Sequence, residues 1–154
     1  MLPEDLYETF HMTMPIVCVD VAIVKDEKVL LVKRKRHPLK GQWFFPGGRV
    51  FRGESTDETI TRLVRGETGL KTYSHAFVGY ENQRFASSPF KNDKGTHTIS
   101  LVFACQTLSQ LVKIDGNHSA YGWFGIDEME PGDFHQSLRR NGQKAIELMK
   151  GVEA

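Results

Sequence analysis

The spacing of apolar side chains predicts a chain that alternates between strands and helices. Leu2, Leu6 and Phe10 recur at four-residue intervals, as on one face of a short helix. Residues 15–24 (PIVCVDVAIV) are almost continuously apolar, which is typical of a strand buried on both faces. The following KDEK predicts a hairpin turn, and residues 28–35 (KVLLVKRK) predict the returning strand.

The next segment predicts a helix with a clear beginning and end. After the short apolar run WFF and the breaker PGG, residues 55–68 have helical periodicity. Ser55 and Glu58 fit a capping box at its start. Gly69 supplies the stop.

The second half of the chain completes a mixed α/β pattern. Further strands are predicted over residues 71–81, 96–107 and about 120–124. A last helix is predicted over about 137–150, with an apolar stripe of Ala145, Leu148 and Met149. A polar segment around SSPFKNDKG separates the first two of these strands. Because the elements alternate irregularly, we expect an α/β fold with a mixed β-sheet and helices on both faces.

Length and charge narrow the class of protein. The 154 residues fit one domain, residues 1–154, and 40% apolar with 25% charged residues is ordinary for a soluble globular protein. The formal net charge is +1, which gives no global basic field for nucleic acid. Any anion site must therefore be local, and we expect no nucleic-acid partner.

The expected location is the cytoplasm. Cys18 and Cys105 both fall in apolar strand-like runs, so a disulfide framework is not expected and a reducing compartment suits them. The N-terminal MLPEDLYETF has acids where a signal peptide needs bases. No stretch approaches the roughly 20 apolar residues of a membrane span, so no membrane partner is expected.

One carboxylate lies on the apolar face of the predicted helix 55–68. At about 100° per residue, Ile60, Leu63 and Val64 form one stripe, and Glu67 follows within it. A carboxylate on the buried side of a helix is costly unless it is paired or metal-bound. The alternative is that Glu67 sits in a frayed last turn and reaches water or an arginine.

The context of this helix resembles a known motif. Residues 48–70, GRVFRGESTDETITRLVRGETGL, are similar to the Nudix box, G-x5-E-x7-R-E-U-x-E-E-x-G-U, in which U is apolar. The matching positions are Gly48, Glu54, Arg62, Val64, Glu67, Gly69 and Leu70. The preceding WFFPGG also resembles the approach to that box. The resemblance implies a Nudix α/β/α sandwich.

Two departures from the box change the expected metal site. Leu63 and Gly66 stand where the box has glutamates, so Glu67 alone remains of that cluster. The resemblance implies several glutamates around two or more metal ions, and here one Mg²⁺ is the expected complement, with Mn²⁺ able to replace it. One carboxylate is adequate for Mg²⁺ if water and substrate phosphate complete the shell.

Further stretches resemble one Nudix subfamily, the GDP-mannose mannosyl hydrolases. That subfamily also has Leu after the Arg of the box and a small residue before the last Glu. LLVKRKRHPLKGQWFFPGGR is similar to its LL-x-KR…G-x-WF-x-PGGR stretch, and NHSAYGWF to its Gln-His…Tyr-x-Trp segment. Asp20 occupies a matching place in the first long strand.

This resemblance implies hydrolysis of a nucleotide sugar to nucleoside diphosphate and free sugar, with water attacking the anomeric carbon. The Gly48 carbonyl, Glu67 and Asn117 would hold the metal. His118 would be the general base. Arg34 and Arg49 would bind the diphosphate. The subfamily also suggests a homodimer.

Several of these assignments have simpler alternatives. His118 could be a surface turn histidine, because GNHS is good turn chemistry. Asn117 replaces a Gln of the subfamily, and its shorter reach could remove it from the metal. Arg34 lies in KRKRH, which could be a solvated charged run. Asp20, an acid within an apolar strand, is either paired structurally or functional.

The remaining candidates support the site or bind substrate. Glu54 and Arg62 are expected to support the geometry between the loop and the helix. Arg84 corresponds, in a loose alignment, to a subfamily histidine and could neutralise a leaving diphosphate. Thr98 stands where the subfamily has Tyr on the next strand.

Two other functions remain open from the sequence. The first is a Nudix pyrophosphohydrolase that cuts the P–O–P bridge of a nucleotide or nucleotide sugar, although such enzymes are expected to have a glutamate-rich box. The second is a catalytically inactive Nudix fold retained for ligand or protein binding. The two missing glutamates motivate it, and the presence of Glu67, Arg49 and His118 together argues against it.

Overall fold

The architecture was taken from a computed structural model, which describes residues 2–90 and 94–152. Along the chain the elements are α1 (Glu4–Thr13), β1 (Ile16–Lys25), β2 (Lys28–Arg34), β3 (Trp43–Phe44), β4 (Gly47–Arg49), α2 (Thr56–Thr68), β5 (Tyr73–Phe85), β6 (Thr96–Gln106), β7 (His118–Phe124), a 3₁₀ turn (Ile126–Glu128) and α3 (Gln136–Met149).

The strands form one mixed sheet centred on β1. Its main path is β3-β2-β1-β6-β5, with β4 paired to β1 and β7 paired to β2. β1 runs parallel to β6 and antiparallel to both β2 and β4, and the other pairs are antiparallel. β4 pairs with the first half of β1 and β2 with its end, so β1 changes partner along its length.

Two apolar layers cover the two faces of the sheet. α2 buries Ile60, Leu63 and Val64 against one face, as its periodicity predicts. α3 packs on the other with Leu138, Ala145, Ile146 and Met149. Along β1, Val19, Val21 and Ile23 belong to the α2 layer, and Ala22 and Val24 to the α3 layer. The predicted α/β/α sandwich with a mixed sheet is therefore confirmed.

The ends of α2 are those that its sequence predicts. The Ser55 hydroxyl accepts from the Glu58 backbone N–H and the Glu58 carboxylate accepts from the Ser55 N–H, both at 3.1 Å. Gly69 closes the helix in the left-handed region, with φ of 71°, and its N–H donates to the Arg65 carbonyl at 3.0 Å. These caps set the position of the last turn, which carries Glu67.

Some predicted boundaries were wrong. The PGG run is no breaker, because Gly47–Arg49 forms β4 along β1. β5 continues to Phe85, and β7 begins at His118. On α3, Leu148 is 44% exposed, and Ile146 takes its place in the apolar stripe. Part of the polar segment predicted between β5 and β6, residues 91–93, lies outside the described residues.

No helix in the described ranges is both long and apolar enough to cross a membrane.

Gly47 and Gly66 provide a matched pair of stability predictions. A Cβ on Gly47 would press against the Asp20 carboxylate and lie 2.6 Å from the Val19 carbonyl, whereas a Cβ on Gly66 meets nothing within 4 Å in the described chain. We expect Gly47→Ala to lose about 1–3 kcal/mol of stability through overpacking. Gly66→Ala should gain about 0.5–1 kcal/mol because alanine favours the helix. Urea unfolding measures both, and two changes of the same sign would contradict the packing described.

Candidate active site

Three potential ligand side chains converge at the C-terminal end of α2. Oxygen and nitrogen atoms of Glu67, Asp115 and His118 all lie within 4.8 Å of one another. The Asp115 N–H donates to the Glu67 carbonyl at 3.2 Å, which joins the loop before β7 to the end of α2. His118 is the first residue of β7 and pairs with Arg34 on β2. We refer to Glu67, Asp115 and His118 as the acidic cluster.

His118 is a buried histidine held by an aspartate. Its side chain is 5% exposed, so the alternative of a surface turn histidine is wrong. The Nδ1 atom lies 2.7 Å from Oδ1 of Asp115. Because an ionised carboxylate only accepts, Nδ1 carries the proton of this bond, which leaves the lone pair of a neutral imidazole on Nε2. Nε2 lies 3.5 Å from Oε1 of Glu67.

Glu67 is desolvated with little compensation. Burial raises the pKa of this carboxyl to about 8, and the neighbouring Asp115 charge adds to the shift, whereas Arg34 and the Gly47 N–H oppose it. Its Oε2 atom is buried and has no hydrogen-bond partner among residues 2–90 and 94–152. A cation would satisfy that oxygen and offset the repulsion between carboxylates. The acidic cluster therefore fits a metal ion.

The two substituted box positions explain why the cluster has this composition. Leu63 is buried, and one of its methyl groups lies 2.9 Å from the place where Gly48 would carry a Cβ. An apolar side chain thus fills the space behind the glycine pair, and Gly66 contributes no side chain. Of the helix positions that carry glutamates in the box, only Glu67 supplies a carboxylate.

A cavity of about 240 Å³ is lined by Gly47, which neighbours Glu67, although none of the three side chains of the acidic cluster lines it. Its lining includes Asp20, Arg34, Gly47, Gly48 and Arg49. The Gly47 N–H that hydrogen-bonds Glu67 connects the cavity to the cluster.

The two arginines of the cavity are held in place before any ligand binds. Arg34 Nε donates to the Pro38 carbonyl at 2.7 Å. The Arg49 guanidinium lies over two rings, 5.2 Å from the centroid of Tyr7 and 4.4 Å from that of Phe51. Stacked and hydrogen-bonded guanidinium groups lose less freedom when they bind an anion. The part of the cavity that these two arginines line suits a diphosphate.

Asp20 is a buried acid beside these arginines. Its side chain faces the cavity lining and only 8% of the residue is exposed. Burial raises the pKa of Asp20 to about 7, opposed by Arg34 and by a hydrogen bond with Ser100. The acid thus lies at the candidate site, where Arg34 and Ser100 favour its ionised form.

Glu54 and Arg62 connect the loop to α2. Arg62 Nε donates to Glu54 Oε2 at 2.7 Å, and Arg62 Nη2 donates to the Arg49 carbonyl at 2.9 Å. The Arg62 hydrogen bond lowers the pKa of Glu54 to about 2. These contacts fix the backbone that presents Arg49, as expected for supporting residues.

Two predicted site residues lie apart from the cavity. The side chain of Asn117 is exposed, while its backbone N–H donates to Asp115 and its carbonyl accepts from Lys35. Arg84 is exposed on β5, between Gln83 and Phe85, which line the cavity. Since side chains alternate along a strand, Arg84 lies on the opposite face.

The structure adds Asp115 and Gln83, which sequence reasoning missed. Asp115 precedes His118 by three residues in the turn-like DGNH, a spacing that allows a side-chain contact across a tight turn. Gln83 had no such local signal, because its burial depends on the strand beside it.

Comparison with known proteins identifies the family. The model of the NUDIX domain matches residues 14–144, and the chain belongs to that family. It shares 35% identity over 115 residues with a protein named ADP-ribose pyrophosphatase in Methanocaldococcus jannaschii, over 75% of this chain and 64% of that protein. The chain thus spans less than two thirds of that relative's length.

Two further comparisons agree with the family. A Haloferax volcanii protein named low-salt glycan biosynthesis protein Agl8 is 27% identical over 77% of this chain and 76% of its own length. The crystal structure of a MutT NUDIX hydrolase from Burkholderia pseudomallei superimposes with a TM-score of 0.72 at 27% identity, over 85% of this chain and 98% of that one.

Proposed function

We propose that this Nudix protein hydrolyses a GDP-mannose-like nucleotide sugar to nucleoside diphosphate and free sugar, by attack of water at the anomeric carbon. The observation that carries the proposal is the pairing of a buried His118–Asp115 couple with a single box glutamate, Glu67. Activation of water at phosphorus in this family is expected to use several glutamates and metal ions, and here Leu63 and Gly66 replace two of them.

Mg²⁺ is the metal expected at Glu67, with Mn²⁺ able to replace it. Both prefer oxygen ligands. The Gly48 carbonyl is proposed as a further ligand with Glu67, whereas Asn117, whose side chain is exposed, would have to turn inward to serve as the third. When bound, the ion offsets negative charge on the diphosphate.

The protein side chains have separate proposed roles. His118 Nε2 takes a proton from water as the water oxygen bonds to the anomeric carbon and the bond from that carbon to the diphosphate oxygen breaks. Asp115 holds the imidazole orientation. Arg34 and Arg49 stabilise the charge that the departing diphosphate develops. Asp20 attracts the Arg34 guanidinium and is proposed to help orient it, and Arg84 contributes only longer-range attraction.

The two relatives give different support. The name of the Haloferax volcanii protein places it in glycan biosynthesis, which agrees with a sugar-containing substrate. The name of the Methanocaldococcus jannaschii protein favours a second candidate, cleavage of the P–O–P bridge of a nucleotide sugar or ADP-ribose. Both reactions use the same cavity and differ in the bond broken.

Product analysis tests the proposed function. The purified protein would be incubated with Mg²⁺ and GDP-mannose, GDP-glucose, ADP-glucose or ADP-ribose, and the nucleotides separated by chromatography. We expect GDP and free sugar from a GDP-sugar. GMP and sugar phosphate would favour the second candidate. A complete lack of turnover would contradict both and point to a binding protein.

The role of His118 is tested by His118→Gln. General-base assistance is typically worth about 10²–10⁴ in rate, and we expect a loss of that order in kcat. His118 belongs to the acidic cluster, but its proposed role is that of a base and not of a ligand, so Mn²⁺ affinity and GDP affinity should change little. His97→Gln is the control, since His97 is half-buried and hydrogen-bonds Asn82 instead. Equal kcat in wild type and His118→Gln, or a collapse of Mn²⁺ affinity, would contradict the assignment.

A further inference from the structure

The cavity has a polar wall beyond the two arginines. Thr98 and Ser100 alternate on one face of β6, and Gln83 pairs with Thr98 across the β5–β6 ladder. All three line the cavity and are at most 8% exposed. Three uncharged polar side chains are thus buried at the cavity, where apolar side chains would be buried at a lower cost in free energy.

Gln83 is incompletely satisfied in this wall. Its Oε1 accepts from the Thr98 hydroxyl at 3.4 Å and from the Ser100 hydroxyl at 3.3 Å. Its Nε2 is buried without a hydrogen-bond partner in the described ranges 2–90 and 94–152. Buried polar groups are nearly always paired, so an unpaired one at a cavity indicates a partner that the ligand supplies.

The polar wall is continuous with the proposed diphosphate site. The Ser100 hydroxyl, which donates to Gln83, also lies close enough to Asp20 to lower the pKa of that carboxyl. Asp20 in turn is attracted to Arg34. A group bound against Gln83 would therefore lie in the same cavity as a diphosphate held by Arg34.

Resting on the proposed function, we infer that Gln83 is a specificity-determining residue that hydrogen-bonds a hydroxyl of the glycosyl group of the nucleotide sugar. Thr98 and Ser100 hold the side chain in place from behind. Selection among sugars then depends on whether a hydroxyl is present at the position that the Gln83 amide reaches.

The chemistry of the wall favours a sugar over the other parts of the substrate. A phosphate would need cations, which lie at Arg34 and Arg49 instead. A hydroxyl both donates and accepts, so it satisfies a glutamine amide in either orientation. The volume of about 240 Å³ is below the roughly 300–1,000 Å³ of pockets for whole ligands, which suits a single ring of a larger substrate.

The test compares Gln83→Met with Asn82→Leu. Methionine keeps the length of glutamine without its hydrogen bonds. Asn82 is the adjacent amide, exposed and bonded to His97, so its loss controls for changes in β5. For each protein, kcat/KM is measured with GDP-mannose and GDP-glucose, whose sugars differ in the orientation of one hydroxyl, and with ADP-glucose. GDP affinity is measured by calorimetry with Mg²⁺.

We expect Gln83→Met to lose about tenfold in kcat/KM with the preferred sugar and to discriminate less between the two GDP-sugars. GDP affinity and the preference between GDP-glucose and ADP-glucose should stay within twofold of wild type, as should every value for Asn82→Leu. Unchanged sugar selectivity would overturn the assignment. A matching loss of GDP affinity, or a changed base preference, would overturn it in favour of a contact with the nucleoside.

Two further measurements separate failure of this inference from misfolding of the variant and from failure of the proposed function. Gln83→Met is not folded if it shows no cooperative thermal transition. In that case Gln83→Asn, which keeps the amide but shortens its reach, should show the same loss of sugar selectivity. A wild-type protein that turns over no nucleotide sugar refutes the proposed function and this inference together. Unchanged selectivity in an active Gln83→Met protein refutes the inference alone.

Discussion

The burial of the Glu67 carboxylate is the constraint on which the site depends. The stripe of α2 that packs on the sheet carries this acid into the protein, where burial raises its pKa to about 8. Such a group is tolerated only where other groups or an ion compensate it. The Gly47 N–H and Arg34 supply part of that compensation from the sheet side, and the unpaired Oε2 leaves room for a cation.

The backbone of β4, beside Glu67, contains two glycines that let neighbouring groups approach closely. β4 can run close to β1 because Gly47 has no Cβ to meet Asp20, and Gly48 accommodates Leu63 in the same way. Arg62 then ties the Arg49 carbonyl to Glu54 and so to the start of α2. Packing of one helix against one short strand therefore places the carboxylate beside the glycine pair, which lines the cavity together with both arginines.

The features predicted well from sequence are those that short-range physics determines. The caps and apolar stripe of α2 are local, and they sufficed to put Glu67 on the buried face. β4 was missed because its partner, β1, is distant in sequence and two glycines carry no strand signal. Asp115 and Gln83 were missed for a similar reason, since their partners lie on other elements. Cytoplasmic location, a homodimer and the single domain over residues 1–154 remain predictions.

Binding of Mn²⁺ to the protein, followed by the electron paramagnetic resonance of free Mn²⁺, tests the central role of Glu67 most directly. Wild type should bind one ion per chain. Glu67→Gln keeps the shape and removes the charge, and its affinity should fall at least about tenfold, since even indirect partners of a metal site are worth 10–100-fold. Glu147→Gln, an exposed glutamate on α3, is the control and should bind as wild type does. Equal affinity in wild type and Glu67→Gln would contradict the account.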